Sequence, residues 1–116
     1  MLPKKQRINR DLFQLILKEG KRYHSPHLFL TVADALSGQN TPSRFAFSIS
    51  KKVLKNATER NKCRRRGYFV IARHKLSITS GFLCLFSFKK GAGAIAFPML
   101  EKEIIDLLSL AHIIQL

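Results

Sequence analysis

The sequence has few acidic residues, few cysteines and no long apolar segment, and each shortage argues against a class of protein. No apolar run reaches the ~18 residues that a transmembrane helix needs, so we expect a soluble globular chain. The first ten residues, MLPKKQRINR, precede neither an apolar stretch nor a small-residue cleavage site, which argues against a secretory signal and favours the cytoplasm. Cys63 and Cys84 form no CxxC pair, so they are expected to be small core residues in a reducing compartment.

The seven acidic residues are scattered, whereas a metal-dependent nuclease needs carboxylates that converge on one or two ions. They are Asp11, Glu19, Asp34, Glu59, Glu101, Glu103 and Asp106. Glu101 and Glu103 lie two apart on a predicted helix and point in different directions. His24 and His27 are spaced for a shared metal, but the intervening Pro26 favours a loop without a neighbouring acid or cysteine. With no activated nucleophile and no phosphate-binding glycine loop, the polypeptide is expected to hold no catalytic residue, metal or cofactor.

Positive charge and phenylalanine are abundant instead. Twenty-one Lys and Arg residues give a net charge of +14, and a compact domain tolerates that self-repulsion best when a polyanion neutralises it. Nucleic acid is therefore the favoured partner, ahead of charge kept only for solubility and ahead of an anionic membrane, since no segment joins a basic face to an exposed apolar one. With 46% hydrophobic residues and nine Phe, residues 1–116 are expected to form one domain.

Hydrophobic periodicity predicts a helix at each end of the chain and several strands between them. The first helix is expected at about 9–19, with Asn9 as N-cap and Gly20 just past its end. Its apolar stripe is Leu12, Phe13, Ile16 and Leu17. The last helix is expected to begin near Pro98. Its stripe is Leu100, Ile104, Leu107, Leu108 and Ala111.

Strands are predicted at 28–33 and 44–51, with a loose loop between them, and a short edge strand at 21–24. Residues 81–90, GFLCLFSFKK, form a nearly continuous apolar run that is typical of a central strand. The GAGA that follows is expected to be a flexible turn. Together with a helix between the last two strands, these elements predict an α+β sandwich in the order α-β-β-β-α-β-α.

That middle helix is strongly basic and is expected to run from Ala57 to about residue 75. Asn56 and Glu59 have the spacing of a reciprocal N-terminal cap. Gly67 inside the helix is expected to cost about 1 kcal/mol relative to Ala. The residues with helical spacing that can face a core are Cys63, Val70, Ile71 and His74.

One face of this helix collects cations, since Arg60, Arg64 and Tyr68 follow one another at i, i+4 and i+8. Three lysines just before the helix extend the same charge. Arg binds phosphates bidentately, and Asn and Tyr add base contacts and stacking, so RNA binding is favoured over a merely solvated helix face. The candidate RNA-binding residues are Lys51, Lys52, Lys55, Arg60, Asn61, Lys62, Arg64, Arg65 and Arg66.

Residues 48–68, SISKKVLKNATERNKCRRRGY, resemble the protein subunit of bacterial ribonuclease P, which carries the pattern SKKVGKAVxRNRxKRxxRE after a strand. The residues that this segment shares with the pattern are Ser50, Lys51, Lys52, Val53, Ala57, Arg60, Asn61 and Arg65. Residues 11–32 resemble the family's opening pattern DFQxVFKxGKRxxSPxFxLYV, and residues 80–108 resemble its closing strand, loop and helix. The resemblance therefore extends over nearly the whole chain.

The resemblance implies a four-stranded sheet in which the strand–helix–strand crossover at the basic helix is left-handed. It also implies an RNA-binding subunit of a ribonucleoprotein endoribonuclease, which helps a catalytic RNA to remove the 5′ leader from precursor transfer RNA. The RNA and its Mg²⁺ ions would perform the hydrolysis. The implied partners are that catalytic RNA and precursor transfer RNA, with no membrane and no small-molecule substrate.

A cleft for the single-stranded leader is implied between the first helix, the sheet and the basic helix. Phe13 matches the family's first aromatic residue there, although packing of helix against sheet would equally explain a Phe. Leu17 and Thr31 stand where Phe and Tyr are usual, so stacking on the leader is expected to be weaker or differently placed. Tyr68 replaces an Arg at the leader side of the basic helix.

Two alternatives to this function remain at the level of sequence. One is a basic ribosome-associated or RNA-chaperone protein that shares the charge but lacks the leader cleft. The other is a stand-alone nuclease, which the scattered acids do not favour.

Overall fold

Over the residues that the structure describes, three α-helices and four strands follow one another in the order that the sequence predicts. The computed structural model describes residues 8, 10–34 and 42–115. The predicted cap Asn9 and residues 35–41 of the predicted loop lie outside them. The helices are α1 Arg10–Glu19, α2 Ala57–Arg73 and α3 Phe97–Leu110. The strands are β1 Lys21–His24, β2 Leu28–Asp34, β3 Arg44–Ser48 and β4 Phe82–Phe88.

The four strands form one mixed sheet in the order β1-β2-β4-β3. β1 and β2 are antiparallel, as are β2 and β4, whereas β3 and β4 are parallel and are joined through α2. Strand β4 is central, because Phe86 pairs with Leu30 of β2 on one side and with Phe47 of β3 on the other. A strand covered on both faces needs apolar residues at every position, which explains the continuous apolar run of residues 82–86.

Alternation of side chains along the strands creates two apolar layers on opposite faces of the sheet. On one face, Phe47 and Phe86 belong to the main core, together with residues of α2 and α3. On the other face, Leu83 and Leu85 form a smaller cluster with Ile16 of α1. Helix α1 therefore lies on one side of the sheet, and α2 and α3 lie on the other.

Several predicted boundaries are shifted by local hydrogen bonds. The strand predicted at 44–51 ends at Ser48, and the chain turns where the Val53 N–H donates to the Ser50 carbonyl at 3.1 Å. The GAGA segment is an ordered 3₁₀ turn at Ala92–Ala94 rather than a flexible one, and Ala92 is buried. Helix α3 begins one residue before Pro98.

Three of the four predicted interior positions of α2 are buried, whereas His74 is half-buried and lies just past the end of the helix at Arg73, two residues earlier than predicted. Cys63, Val70 and Ile71 are buried in the main core, and Cys63 and Cys84 are free thiols. Burial raises the pKa of both thiols, so they remain protonated at neutral pH. No helix within residues 10–34 and 42–115 is long and apolar enough to cross a membrane.

Candidate nucleic-acid interface

The nine candidate RNA-binding residues lie together on α2 and on the turn that leads into it, on the side away from the core. We call this set the basic surface. Its exposed members are Lys51, Lys52, Lys55, Asn61, Lys62 and Arg65, and its half-buried members are Arg60, Arg64 and Arg66. The buried positions of the same helix are Cys63, Gly67, Val70 and Ile71. Packing of those four against the sheet turns the cations toward solvent.

The helix begins where the Thr58 N–H donates to the Asn56 side-chain oxygen at 2.8 Å, as predicted. The reciprocal bond that the sequence predicts from Glu59 is not formed among the described residues. A different contact is made by Arg60 in the first turn, whose Nη1 donates to the carbonyls of Leu54 and Lys55, each at 2.8 Å. Arg60 thus fastens the lysine-bearing turn to the helix, a structural role that sequence reasoning missed.

A shallow depression of about 490 Å³ lies over the first three turns of α2. Its lining residues are Thr58, Asn61, Arg64, Arg65 and Tyr68. An Arg64 guanidinium nitrogen donates to the Asn61 side-chain oxygen, which holds both groups in a defined orientation. Guanidinium, amide and phenol groups in one depression can bind phosphate, sugar and base edges of RNA.

The four residues predicted for a leader cleft are divided between the two faces of the sheet. Tyr68 packs edge-on against Phe47 in the main core, with ring centroids 5.0 Å apart. Phe13 packs instead against the small cluster beneath α1. Because Phe47 points to the face opposite α1, Tyr68 does not meet Phe13, Leu17 or Thr31 in one cleft. Tyr68 belongs to the depression on the basic surface.

The remaining three residues differ in their accessibility. Leu17 is 53% exposed on α1, and Phe13 is half-buried between α1 and the sheet. Thr31 is only 2% exposed, because it lies beneath Gly20 at the end of α1, where a Cβ would overlap the Thr31 methyl group. Thr31 therefore cannot present its side chain to a strand of RNA, contrary to its predicted place in the cleft.

A buried carboxylate links distant parts of the fold, and sequence reasoning missed it. Glu103 on α3 accepts hydrogen bonds from the Ser25 hydroxyl at 2.6 Å and from the His27 N–H at 2.8 Å, and it pairs with His27 Nδ1 at 2.6 Å. Burial alone would raise the pKa of the Glu103 carboxyl, but these hydrogen bonds outweigh it and the pKa is lowered.

The sequence did hold an indication of this carboxylate. Glu103 falls between Leu100 and Ile104 on the apolar stripe of α3, where a charge needs a buried partner. His27, which we had expected to lack a nearby acid, supplies that partner. Glu101 is more exposed and pairs with His74 at 3.1 Å. The described part of the chain contains no group of three or more His, Cys, Asp or Glu residues placed to hold a metal ion.

A solvent-facing cationic helix on a four-stranded α+β sandwich has the electrostatic signature of a nucleic-acid-binding protein. The family model described as Ribonuclease P matches residues 2–112. The chain belongs to the ribonuclease P protein family, whose members are RNA-binding subunits that assist in processing the 5′ end of transfer RNA.

Individual relatives are similar to this chain over most of their lengths. The ribonuclease P protein component of Microcystis aeruginosa is 36% identical, with 97% of this chain and 96% of that protein covered. The RNase P protein of Thermotoga maritima has a TM-score of 0.77 at 26% identity, covering 88% of this chain and 94% of that one. The Staphylococcus aureus RNase P protein shares the fold with a TM-score of 0.85 at 22% identity, covering 97% of this chain and 100% of that one.

Proposed function

We propose that the basic surface binds the catalytic RNA of ribonuclease P and the adjoining backbone of precursor transfer RNA, so that the RNA removes the 5′ leader. The observation that carries this proposal is the arrangement of nine candidate residues on one solvent-facing surface, with Arg60 and Arg64 already oriented by hydrogen bonds. Oriented cations lose less side-chain entropy when they bind phosphate, so they favour a defined site over diffuse attraction.

The protein's contribution is electrostatic and positional. With a net charge of +14, the chain neutralises the repulsion between two RNA molecules that must approach each other. Hydrolysis is assigned to the catalytic RNA and to Mg²⁺ ions bound there, and not to side chains of this chain. The proposed setting is the cytoplasm, with residues 1–116 acting as one RNA-binding domain.

The leader of the precursor is proposed to lie along α1, on the face of the sheet opposite α2. Leu17 is exposed there and Phe13 is half-buried, so both can contact an unpaired base. Aromatic surface is smaller than the family pattern provides, because Leu17 replaces a Phe and Thr31 is covered. Leader binding is therefore expected to depend more on backbone phosphates than on stacking.

Reconstitution with the cognate catalytic RNA tests the proposal. Wild-type protein should lower the Mg²⁺ requirement for cleavage and the KM for leader-bearing precursor.

Arg65→Ala should weaken RNA binding and reduce the slope of the logarithm of the binding constant against the logarithm of the salt concentration by about 1, because each neutralised phosphate releases about one counterion. Arg65 suits this test because it is exposed and makes no hydrogen bond within the described residues, whereas Arg60 also holds the turn.

Lys102→Ala is the charge-matched control, since Lys102 is exposed on α3 and pairs with Asp106 across 3.6 Å, its one ion pair with a described residue. It should leave the salt slope unchanged. If wild-type protein lowers neither the Mg²⁺ requirement nor the KM, a ribosome-associated or RNA-chaperone role is favoured instead. Cleavage of RNA by purified protein without any RNA component would favour a stand-alone nuclease.

A further inference from the structure

An exposed aromatic side chain on α2 has no role in the core or in the depression already described. Phe69 is 58% exposed although it lies on a helix whose opposite side is fully packed. Its ring meets the ring of Phe97, the first residue of α3, with centroids 5.7 Å apart and planes at 67°. This edge-on contact steadies the Phe69 ring while leaving much of its surface in water.

Cations surround this aromatic pair. Lys62, Arg65 and Arg66 line a surface depression of about 230 Å³ together with Phe69 and Phe97. On the helix, Arg66 and Arg65 precede Phe69 by three and four residues, and Lys62 precedes it by seven, so all of them lie on neighbouring rows of one face. The arrangement places positive charge within one or two helical turns of an accessible ring.

The chemistry of this depression matches an unpaired nucleotide. A base stacks on an aromatic ring irrespective of its sequence, and the phosphates that flank it are bound by Lys and Arg. A second copy of the chain would instead bring two sets of these cations together, each on a molecule with a net charge of +14. Charge complementarity therefore favours single-stranded RNA over self-association.

We propose that Phe69 is a stacking site for an unpaired base of single-stranded RNA, with Phe97 steadying its ring and with Lys62, Arg65 and Arg66 binding phosphates of the same strand. The inference rests on the proposed function in that the chain binds RNA, and it adds a base-contacting site to a surface otherwise assigned to phosphates. The strand belongs either to the catalytic RNA or to the leader of the precursor.

The test compares Phe69→Leu and Phe69→Trp in the full chain. The probe is a short single-stranded oligoribonucleotide that carries 2-aminopurine, whose fluorescence is quenched by stacking. Phe69→Leu should weaken binding about tenfold and abolish the quenching, because it keeps an apolar side chain but removes the ring. Phe69→Trp should retain both. Leu76→Ala, which truncates a fully exposed apolar residue just after α2, should bind like wild type.

Two further arms identify the source of the strand. A loss of affinity of Phe69→Leu for the catalytic RNA alone assigns the site to that RNA, whereas a loss confined to leader-bearing precursor assigns it to the leader. Thermal unfolding of each variant verifies that the exposed substitution leaves the fold intact.

Equal binding and equal quenching by Phe69→Leu and wild type would overturn the inference. It would also be overturned if Phe69→Leu abolished a concentration-dependent dimer of the wild-type chain while oligonucleotide binding stayed unchanged. The proposed function is judged separately, because reconstituted cleavage by wild-type protein does not depend on the outcome for Phe69. A chain that supports cleavage but shows no effect at Phe69 loses only the stacking site.

Discussion

Glycine at position 67 is required by the residue packed against it. A Cβ at Gly67 would lie 2.7 Å from Cζ of Phe47 and would overlap two further carbons of that ring. The ring cannot easily move, because it stacks on Phe86 at 4.9 Å and meets Tyr68 edge-on. Helix propensity alone would predict that Gly67→Ala raises the free energy of unfolding, whereas the packing against Phe47 predicts that it lowers it.

Gly67→Ala is accordingly expected to lower the free energy of unfolding by about 1–2 kcal/mol, because overpacking outweighs the gain of up to about 1 kcal/mol in helix propensity. Urea denaturation measures the change. The double variant Phe47→Leu/Gly67→Ala should lose less than the sum of the two single variants, since the smaller side chain relieves the overlap. A Gly67→Ala protein more stable than wild type would contradict this account.

Thr31 presents the opposite situation, in which a polar group is buried without a partner. Its hydroxyl oxygen is buried and makes no hydrogen bond to the described residues. The isosteric change Thr31→Val should raise the free energy of unfolding by about 1 kcal/mol and the Tm by about 4 °C, since desolvation of the hydroxyl is no longer required. Thr79→Val, at an exposed position, is the control and should change neither. A loss of stability in Thr31→Val would show that the hydroxyl has a partner.

At the scale of elements, the two halves of α2 have different roles, although the sequence predicts one continuous basic helix. Its N-terminal half holds the preceding turn through Arg60 and displays the cations, while its C-terminal half packs Val70 and Ile71 into the core. The bounds of the helix were predictable because cap and periodicity are local features. The division between Arg60, which holds the turn, and the arginines that only face solvent was not, because it depends on where the carbonyls of Leu54 and Lys55 lie.

Helix α1 offers a test of leader binding that does not disturb the core. Leu17→Phe adds an aromatic ring at a position that is 53% exposed, so it should fit without repacking. We expect about fivefold tighter binding of leader-bearing precursor, equivalent to about 1 kcal/mol for one stacked base, and no change for a leaderless substrate. Equilibrium binding to the reconstituted holoenzyme measures both.

The matched control is Leu110→Phe, which adds the same ring at a position that is 57% exposed on α3. An equal gain from both variants, or a gain with the leaderless substrate, would show that the leader does not lie along α1.

At the scale of the whole molecule, Glu103 ties α3 to the turn between β1 and β2. Its partners Ser25 and His27 lie more than seventy residues earlier in the chain, and the Lys89 ammonium group donates to the Ser25 carbonyl at 2.9 Å. The Glu103 carboxylate thereby joins the last helix to the turn, and Lys89 joins the same turn to the end of β4. Loss of the negative charge of Glu103 should therefore lower the stability of the whole fold and not of one element alone.

Stability is expected to depend on the ionisation of Glu103. Its pKa in the folded chain lies below the ordinary value of 4.5, so the unfolded chain binds a proton first as the pH falls. The stabilisation is complete above about pH 4.5 and is lost as the pH falls through the lowered pKa. Urea unfolding between pH 7 and pH 3 measures this fall in the free energy of unfolding, which we call the acid limb of the stability profile.

Glu103→Gln should flatten that limb and cost about 3 kcal/mol at pH 7, because an amide cannot replace a buried carboxylate that is paired and hydrogen-bonded. Glu101→Gln, which alters a more exposed carboxylate on the same helix, should leave the limb in place. An acid limb of the same steepness in Glu103→Gln would assign it to other carboxylates.

The sequence by itself determined the helices, the strands, the basic segment and the family, because each depends on residues within a few turns or on a contiguous motif. The tertiary structure alone decided which face of the sheet each side chain occupies. Tyr68 was thereby separated from Phe13, and Thr31 was placed beneath Gly20. It also paired Glu103 with His27 across 76 positions. Such contacts join residues that no local period relates, so they arise only when the whole chain is packed.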